Sequence, residues 1–164
     1  MNNLIIAILL SMSPFSELRG GIPYILLTNL YSLTLTKILF FFILCIIANI
    51  MVILPIWIFL DFIHYKLENI EPYRKMANFF LNRIHKKSKE LEPRINKYGY
   101  IALTLFTAVP LPVTGAWTSS IAVWIIGLNR KKSFLAISLG VIIAGIIVTL
   151  LTLSGLNIMN LSFS

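Results

Sequence analysis

The stretch Ser11-Met-Ser-Pro-Phe-Ser-Glu-Leu-Arg-Gly-Gly-Ile-Pro-Tyr24 sets a carboxylate, Glu17, and a guanidinium, Arg19, inside an otherwise apolar N-terminal region. The apolar arms on either side, residues 4–10 and 22–30, are each about ten residues or fewer, roughly 15 Å of helix at about 1.5 Å per residue. Each arm reaches about half way across a hydrocarbon core of roughly 30 Å. Two prolines, a glycine pair and two charges between half-length arms predict a hairpin that enters a membrane and leaves on the same side. Backbone interrupted in this way is tolerated at that depth only inside protein or against a water-filled cavity.

The rest of the chain agrees with a membrane solvent. It is 164 residues long, 58% hydrophobic and only 12% charged, with a mean hydropathy of +0.88, which is far from a soluble composition. A single multi-pass domain of the cell membrane is expected, with membrane lipids as its surroundings and partners. The basic residues are segregated: nine of the fourteen lie between Lys66 and Lys97, and Arg130, Lys131 and Lys132 form a second group. The positive-inside rule puts both groups on the cytoplasmic side and accounts for the net charge of +8 without a nucleic-acid partner. The single cysteine, Cys45, forms no internal disulfide and reads as a packing residue. The N-terminus lacks a basic flank and Ser-Glu-Leu-Arg-Gly-Gly is a poor cleavage site, so this region reads as mature chain and not as a signal peptide.

Residues 38–60 run for 23 positions without a charge, about 34 Å of helix and long enough to cross completely. Asp61 is expected to end that span, Pro55 to kink it, and Asn49 to place an amide near mid-membrane. Between Pro72 and Pro93, Met76, Phe79, Phe80 and Ile84 recur at three- and four-residue spacing among Arg74, Lys75, Arg83, Lys86, Lys87 and Lys89. This reads as a basic amphipathic helix on the membrane surface, the alternative being a solvated linker. Residues 98–129 are again uncharged, but Val109-Pro-Leu-Pro-Val-Thr-Gly115 cuts them into two half-length arms, 101–109 and 116–128. Both flanking basic groups prefer the same side, so a second hairpin is expected over one long kinked helix. Residues 133–156 then cross once more, with Ala136, Gly140 and Ala144 forming a small-residue row that lets another helix approach.

The expected fold is therefore all-α and integral to the membrane: two spanning helices and two opposed re-entrant hairpins, with the amphipathic helix between the halves. Residues 1–61 and 98–164 form two units of opposite orientation joined by a cytoplasmic linker, residues 62–97. In such an inverted repeat the hairpin tips meet near the midplane, as in secondary transporters.

Glu17-Leu-Arg-Gly-Gly-Ile-Pro23, Asn49 and Phe106-Thr-Ala-Val-Pro-Leu-Pro-Val-Thr-Gly-Ala-Trp117 together resemble the small multidrug export protein family over nearly the whole chain. That family is distantly similar to the DedA superfamily. This resemblance implies lipid or lipid-carrier movement through paired re-entrant hairpins. Where superfamily members carry arginines around the second hairpin, this chain has Thr104, Thr107 and Thr114, so an arginine-dependent mechanism is not carried over whole. Val113 and Ser119 stand where glycines are expected from related families.

Charges at membrane depth cost roughly 2.5–3.5 kcal/mol each on insertion scales, which makes Glu17 and Arg19 candidates for function. Glu17 is the candidate carrier of a coupling proton, and Arg19 the partner for a phosphate or carboxylate. Gly20 and Gly21 would admit close backbone approach, and Pro23 suits the first turn of a returning helix whose amides face an anion. A structural Glu17–Arg19 pair pinning the turn is the alternative. At the second tip Pro110 and Pro112 exclude helix, and Thr114 is placed to cap a helix starting near Gly115. Thr118, Ser119 and Ser120 would add uncharged hydroxyls, unless they merely cap and pack. Trp117 and Trp124 are candidates for lining an apolar path, although packing is the commoner role of membrane aromatics.

Glu17, Arg19, Gly20, Gly21, Pro23, Asn49, Pro110, Pro112, Thr114, Gly115, Trp117 and Thr118 thus make up the expected substrate site. Asp61 and His64, three residues apart, would mark the inner end of a helix and not a metal site. The chain carries no paired nucleophile and base, no nucleotide-binding glycine loop and no thiol cluster, so neither an enzyme nor a cofactor is expected. The sequence reads as a transporter of an amphipathic, anionic substrate with proton coupling through Glu17. An uncoupled lipid scramblase and a non-transporting membrane scaffold remain the alternatives. Two full spans make a small shell for two buried charges, so a homodimer stands beside a monomer as an expectation.

Overall fold

The structure is a computed structural model that describes residues 2–29, 34–67, 71, 98–111 and 114–162. The expected amphipathic helix between Pro72 and Pro93 lies outside the described residues, as do Pro112 and Val113. Among the described residues every element is a helix. A short pair, α1 (Asn2–Met12) and α2 (Glu17–Thr28), is followed by α3 (Leu35–Met51) and α4 (Ile53–Leu67). A second short pair, α5 (Tyr100–Ala108) and α6 (Ala116–Ile126), precedes the long α7 (Arg130–Ser162). The four short helices have 9 to 12 residues, about 14–18 Å. Leu35–Leu67 and Arg130–Leu156 are long and apolar enough to cross a membrane.

Local chemistry sets most of the helix boundaries. The Thr34 hydroxyl accepts the Lys37 N–H and starts α3. Pro55 has no N–H to give to Met51 and its ring crowds that carbonyl, so the break between α3 and α4 falls at Val52, one turn before the proline. Asp61 does not end the helix as expected. The helix runs on to Leu67 because Arg130 and Trp124 hydrogen-bond the Asp61 carboxylate. Gly127, at φ 75°, closes α6 in the left-handed conformation, and the Asn129 side chain accepts the Lys132 N–H at the start of α7.

The largest departure from the sequence reading is in α2, which begins at Glu17 and not at Ile22, so that Gly20 and Gly21 are helical. Their purpose is proximity between helices. A Cβ on Gly21 would overlap the Ser11 hydroxyl and lie 2.7 Å from the Ala7 carbonyl oxygen. One on Gly20 would lie 2.6 Å from Ser16 Cβ. With nothing at these positions, α1 and α2 close on each other.

Both α1 and α2 pack against α3, α5 packs most extensively against α7, α2 also reaches α7, and α6 reaches α4. The small-residue row of α7 receives α5. A Cβ on Gly140 would lie 2.5 Å from Thr107 Cβ and 2.7 Å from the Thr104 carbonyl oxygen, and Thr104 Oγ1 donates to the Ala136 carbonyl at 2.9 Å. Ile22, Ile25, Ile53, Val123 and Ile137 fill the centre. Leu9, Phe40, Ile47, Phe59 and Leu139 face outward, so the outer surface is apolar and suited to lipid. The chain is a membrane protein.

Gly21→Ala and Gly140→Ala are each expected to cost about 1–3 kcal/mol through overpacking, read as a lower midpoint in thermal unfolding of the detergent-purified chain. Gly155→Ala, where no atom lies within 4 Å of the added methyl, should leave the midpoint unchanged or raise it, since alanine is the better helix former. Indistinguishable midpoints for the three would refute the close approaches.

Candidate functional site

The first tip is the turn at residues 13–16, tied down by Ser16 Oγ donating to the Leu10 carbonyl at 2.7 Å and by the Glu17 N–H donating to the Ser13 carbonyl at 3.1 Å. Glu17 follows with φ 46°, the one non-glycine with positive φ among the described residues. That conformation costs about 1–2 kcal/mol for an L-residue. A glutamate in a helix's first turn usually serves its own N-terminus. Glu17 instead reaches across to the second tip, where its carboxylate accepts the N–H of Trp117 at 3.3 Å.

Trp117 is the second residue of α6, so Glu17 supplies the cap that α6 lacks locally. The residue at the cap position is Gly115, which has no side chain to give. Gly115 is also obligatory for space and backbone. Its φ is 146°, and a Cβ there would overlap the Glu17 carboxylate. The clasp is returned from the other side, since the Trp117 indole N–H donates to the Met12 carbonyl, at the end of α1, at 3.0 Å. Each tip therefore satisfies an orphan group of the other.

Thr114 does not cap α6 as expected from the sequence. Its hydroxyl donates to the Val109 and Leu111 carbonyls at 2.6 and 2.9 Å and accepts the Leu111 N–H at 3.2 Å, which braces the second turn. Glu17 takes the capping role because the turn directs Thr114 back onto itself. Pro23 also departs from its expected place. It is the seventh residue of α2, beyond the first turn, where it cannot donate to the Arg19 carbonyl. Gly21 faces Ser11 and Ala7 of α1, and Gly20 faces Ser16 of the first turn.

Asn49, 2% exposed, donates its Nδ2 to the Ser11 carbonyl at 2.9 Å and so ties α3 to the end of α1. Its Oδ1 is buried without a partner. Arg19 is half-buried, and among the described residues its guanidinium makes no hydrogen bond or ion pair. The Glu17–Arg19 pair weighed from the sequence is not formed, because the carboxylate is engaged at α6. Glu17, Arg19, Asn49, Pro110, Thr114 and Gly115 surround one cavity of about 10 Å³ between the tips, the space of about one water molecule.

Half of the expected site residues thus converge on one point, and Trp117 joins them through its amide. Thr118 remains on its own helix, its hydroxyl 3.4 Å from the Gly115 carbonyl, and Pro112 lies outside the described residues. The Ser119 hydroxyl pairs with that of Thr107 at 2.7 Å, and Ser120 donates to the Ala116 carbonyl at 2.6 Å. The first of these joins α5 to α6, and the second stays within α6. The Trp124 indole donates to Asp61 at 2.8 Å.

Sequence reasoning missed three groups. The carbonyls of Ser11 and Met12 act through the backbone and leave no mark in side-chain chemistry. The Thr107–Ser119 pair was legible only as two hydroxyls in apolar arms. Arg130 pairs with Asp61 through two hydrogen bonds of 2.8 Å, and the matching signal was an acid and a base at the ends of two different spans. Among the described residues no three of His, Cys, Asp and Glu gather to hold a metal.

The family model described as "Putative small multi-drug export protein" matches residues 17–147, from the Glu17 tip into α7. Neither curated proteins nor solved structures give a match.

Glu17→Ala should destabilise the chain by about 1 kcal/mol, within the roughly 0.5–2 kcal/mol range of lost caps, and speed hydrogen exchange at the amides of residues 116–118. Glu17→Gln keeps an acceptor but no charge and should fall between the Ala variant and the parent. Equal exchange in Ala, Gln and parent chains would remove Glu17 from the cap.

Proposed function

The chain belongs to the small multi-drug export protein family, and from that premise we propose that it is a multi-pass transporter of the cell membrane acting through the point where its two tips meet. The observation that carries this reading is the reciprocal clasp at a shared cavity, with Glu17 on the α6 amide and the Trp117 indole on the α1 carbonyl. Helices too short to cross, paired around turns that abut one another, are what two opposed re-entrant hairpins require. The packing supports an inverted repeat. The second helix of each short pair lies against the long helix of the other half, α2 on α7 and α6 on α4.

The substrate class follows from the charges. Arg19 brings to the cavity a guanidinium that makes no ion pair with the nearby Glu17, and α6 points its N-terminal amides there, so an anionic group is the complementary ligand. The apolar exterior beside the tips, with Phe15 93% exposed in the first turn and Leu111 56% exposed in the second, suits a hydrocarbon tail. An amphipathic anion, a lipid carrier among them, satisfies both. A cavity of about 10 Å³ is far smaller than such a molecule, so passage requires the clasp to part. Glu17 is the group through which a proton would couple to that opening.

Two experiments test this. In proteoliposomes, flux of a fluorescent long-chain alkylsulfonate should fall about tenfold or more for Arg19→Gln, the loss expected of one charged hydrogen-bonding anchor. Unchanged flux, or flux that survives both this change and Glu17→Gln, removes the tips from transport. In cells carrying Cys45→Ala, cysteines at Phe15 and Leu111 should label with an impermeant thiol reagent from opposite sides of the membrane. Labelling of both from the same side overturns the opposed arrangement.

A further inference from the structure

We infer that the N-terminus of α6 is an anion site held in reserve by Glu17, and that protonation of Glu17 moves its carboxyl group from the Trp117 amide to Asn49 Oδ1, freeing the amides for the anionic group of a substrate. This rests on the reading of the tips as the transport site. It adds how the site is emptied, and it gives Asn49 a part beyond packing.

The first observation is occupancy. A helix N-terminus with its amides facing inward is an anion site, and here the anion is the chain's own carboxylate. At 3.3 Å the bond is longer than the roughly 2.7–2.9 Å of a tight charge-assisted hydrogen bond, and Glu17 holds it from a strained backbone with φ 46°. The carboxylate is a displaceable tenant. The second observation is independent of it. Asn49 is 2% exposed, lines the same cavity, and its Oδ1 has no partner. Donation from Nδ2 to the Ser11 carbonyl fixes which end of the amide is oxygen. A buried amide oxygen calls for a donor, and a carboxylate has none to offer. A carboxylic acid has one.

The proton comes from the buffer acid of the bulk solution, which is left as its conjugate base. It converts the carboxylate to a carboxyl, the Trp117 N–H loses its acceptor, and the new O–H donates to Asn49 Oδ1. No bond between heavy atoms changes. The charges then balance in both states. Glu17 ionised beside Arg19 sums to zero, and Glu17 neutral with Arg19 and a bound monoanion also sums to zero, which avoids an isolated charge at membrane depth. The groups facing Glu17 permit this exchange. Arg19 is the charged neighbour on its own helix. From α3 come the neutral amide of Asn49 and, one turn away beside Ser11, the thiol of Cys45. α5 gives Thr107, and α7 gives only the apolar Val141, Ala144 and Val148. Neither α1 nor α6 carries a titratable side chain.

The test uses the full chain in nanodiscs of zwitterionic lipid, titrated with decanesulfonate, whose charge is fixed. Calorimetry in two buffers of different ionisation heat counts the protons taken up. The expected result is about one proton per sulfonate, with Kd rising about tenfold per pH unit once Glu17 is ionised in the free protein. Glu17→Gln should bind with no proton uptake and a Kd independent of pH. Asn49→Leu, which removes the acceptor at similar volume, should weaken binding about tenfold or more where the parent takes up a proton. Binding by the parent without proton uptake overturns the exchange and leaves the anionic-substrate reading standing, whereas absence of binding overturns both. If Glu17→Gln does not fold, infrared difference spectra of the parent decide. The carbonyl stretch of a protonated carboxyl must appear on adding decanesulfonate, and its absence sinks the proposal.

Discussion

The organisation of the molecule depends on one constraint: a helix that begins inside a membrane protein has backbone amides that lipid cannot satisfy. For α6 the solution is the carboxylate of Glu17, one hundred residues away in sequence. The same bond answers the opposite need, since a carboxylate at 8% exposure requires donors as much as the amides require an acceptor. Several otherwise unrelated features follow from this contact. Gly115 leaves room for the carboxylate, Glu17 accepts a left-handed backbone to aim it, and Gly21 lets α1 approach α2 closely while the Met12 carbonyl at its end meets the Trp117 indole. Asn49 holds the Ser11 carbonyl and keeps the first tip in register with α3.

Much of the fold was legible because it rests on local rules. Uncharged runs gave the two long helices, Pro55 gave the break at Val52, and the row of Ala136, Gly140 and Ala144 marked where another helix would lie. The misreadings share a cause. Gly20-Gly21 and Pro23 look like turn residues when only neighbours in sequence are considered, and Thr114 looks like a cap for the same reason. In each case a remote partner decided the outcome: Ser11 and Ala7 across from Gly21, and Glu17 across from Gly115. Capping and turn preferences are worth about 1 kcal/mol, and close helix packing with a buried charge contact outweighs them. The candidate residues were chosen by chemistry and not by contact, which is why half of them converge on one cavity while Gly20, Gly21 and Pro23 do not.

The halves are also tied at a second level. Asp61 of α4 meets Arg130 of α7 through two hydrogen bonds of 2.8 Å and takes a third from the Trp124 indole, while the Arg130 guanidinium sits 6.0 Å from the Trp57 ring centre. Arg130, Lys131 and Lys132 open α7 with positive charge at the positive end of a helix dipole, and Asp61 offsets part of that conflict. Because both partners are about half exposed, the ion pair itself is worth little, roughly 0–1 kcal/mol.

These two ties differ in kind, and the difference bears on how the molecule can move. The Asp61–Arg130 pair is about half exposed, so that water can replace either partner at small cost. The clasp at the tips is buried, so separating Glu17 from the α6 amides without a replacement leaves a carboxylate and an amide both unsatisfied, a cost of several kcal/mol. Parting the tips therefore needs an incoming group for each side: an anion or acceptor for the amide, and a proton or donor for the carboxylate. A ligand of only one of these kinds meets half the demand. The coupling of a proton to an anion that we propose would meet both demands at once.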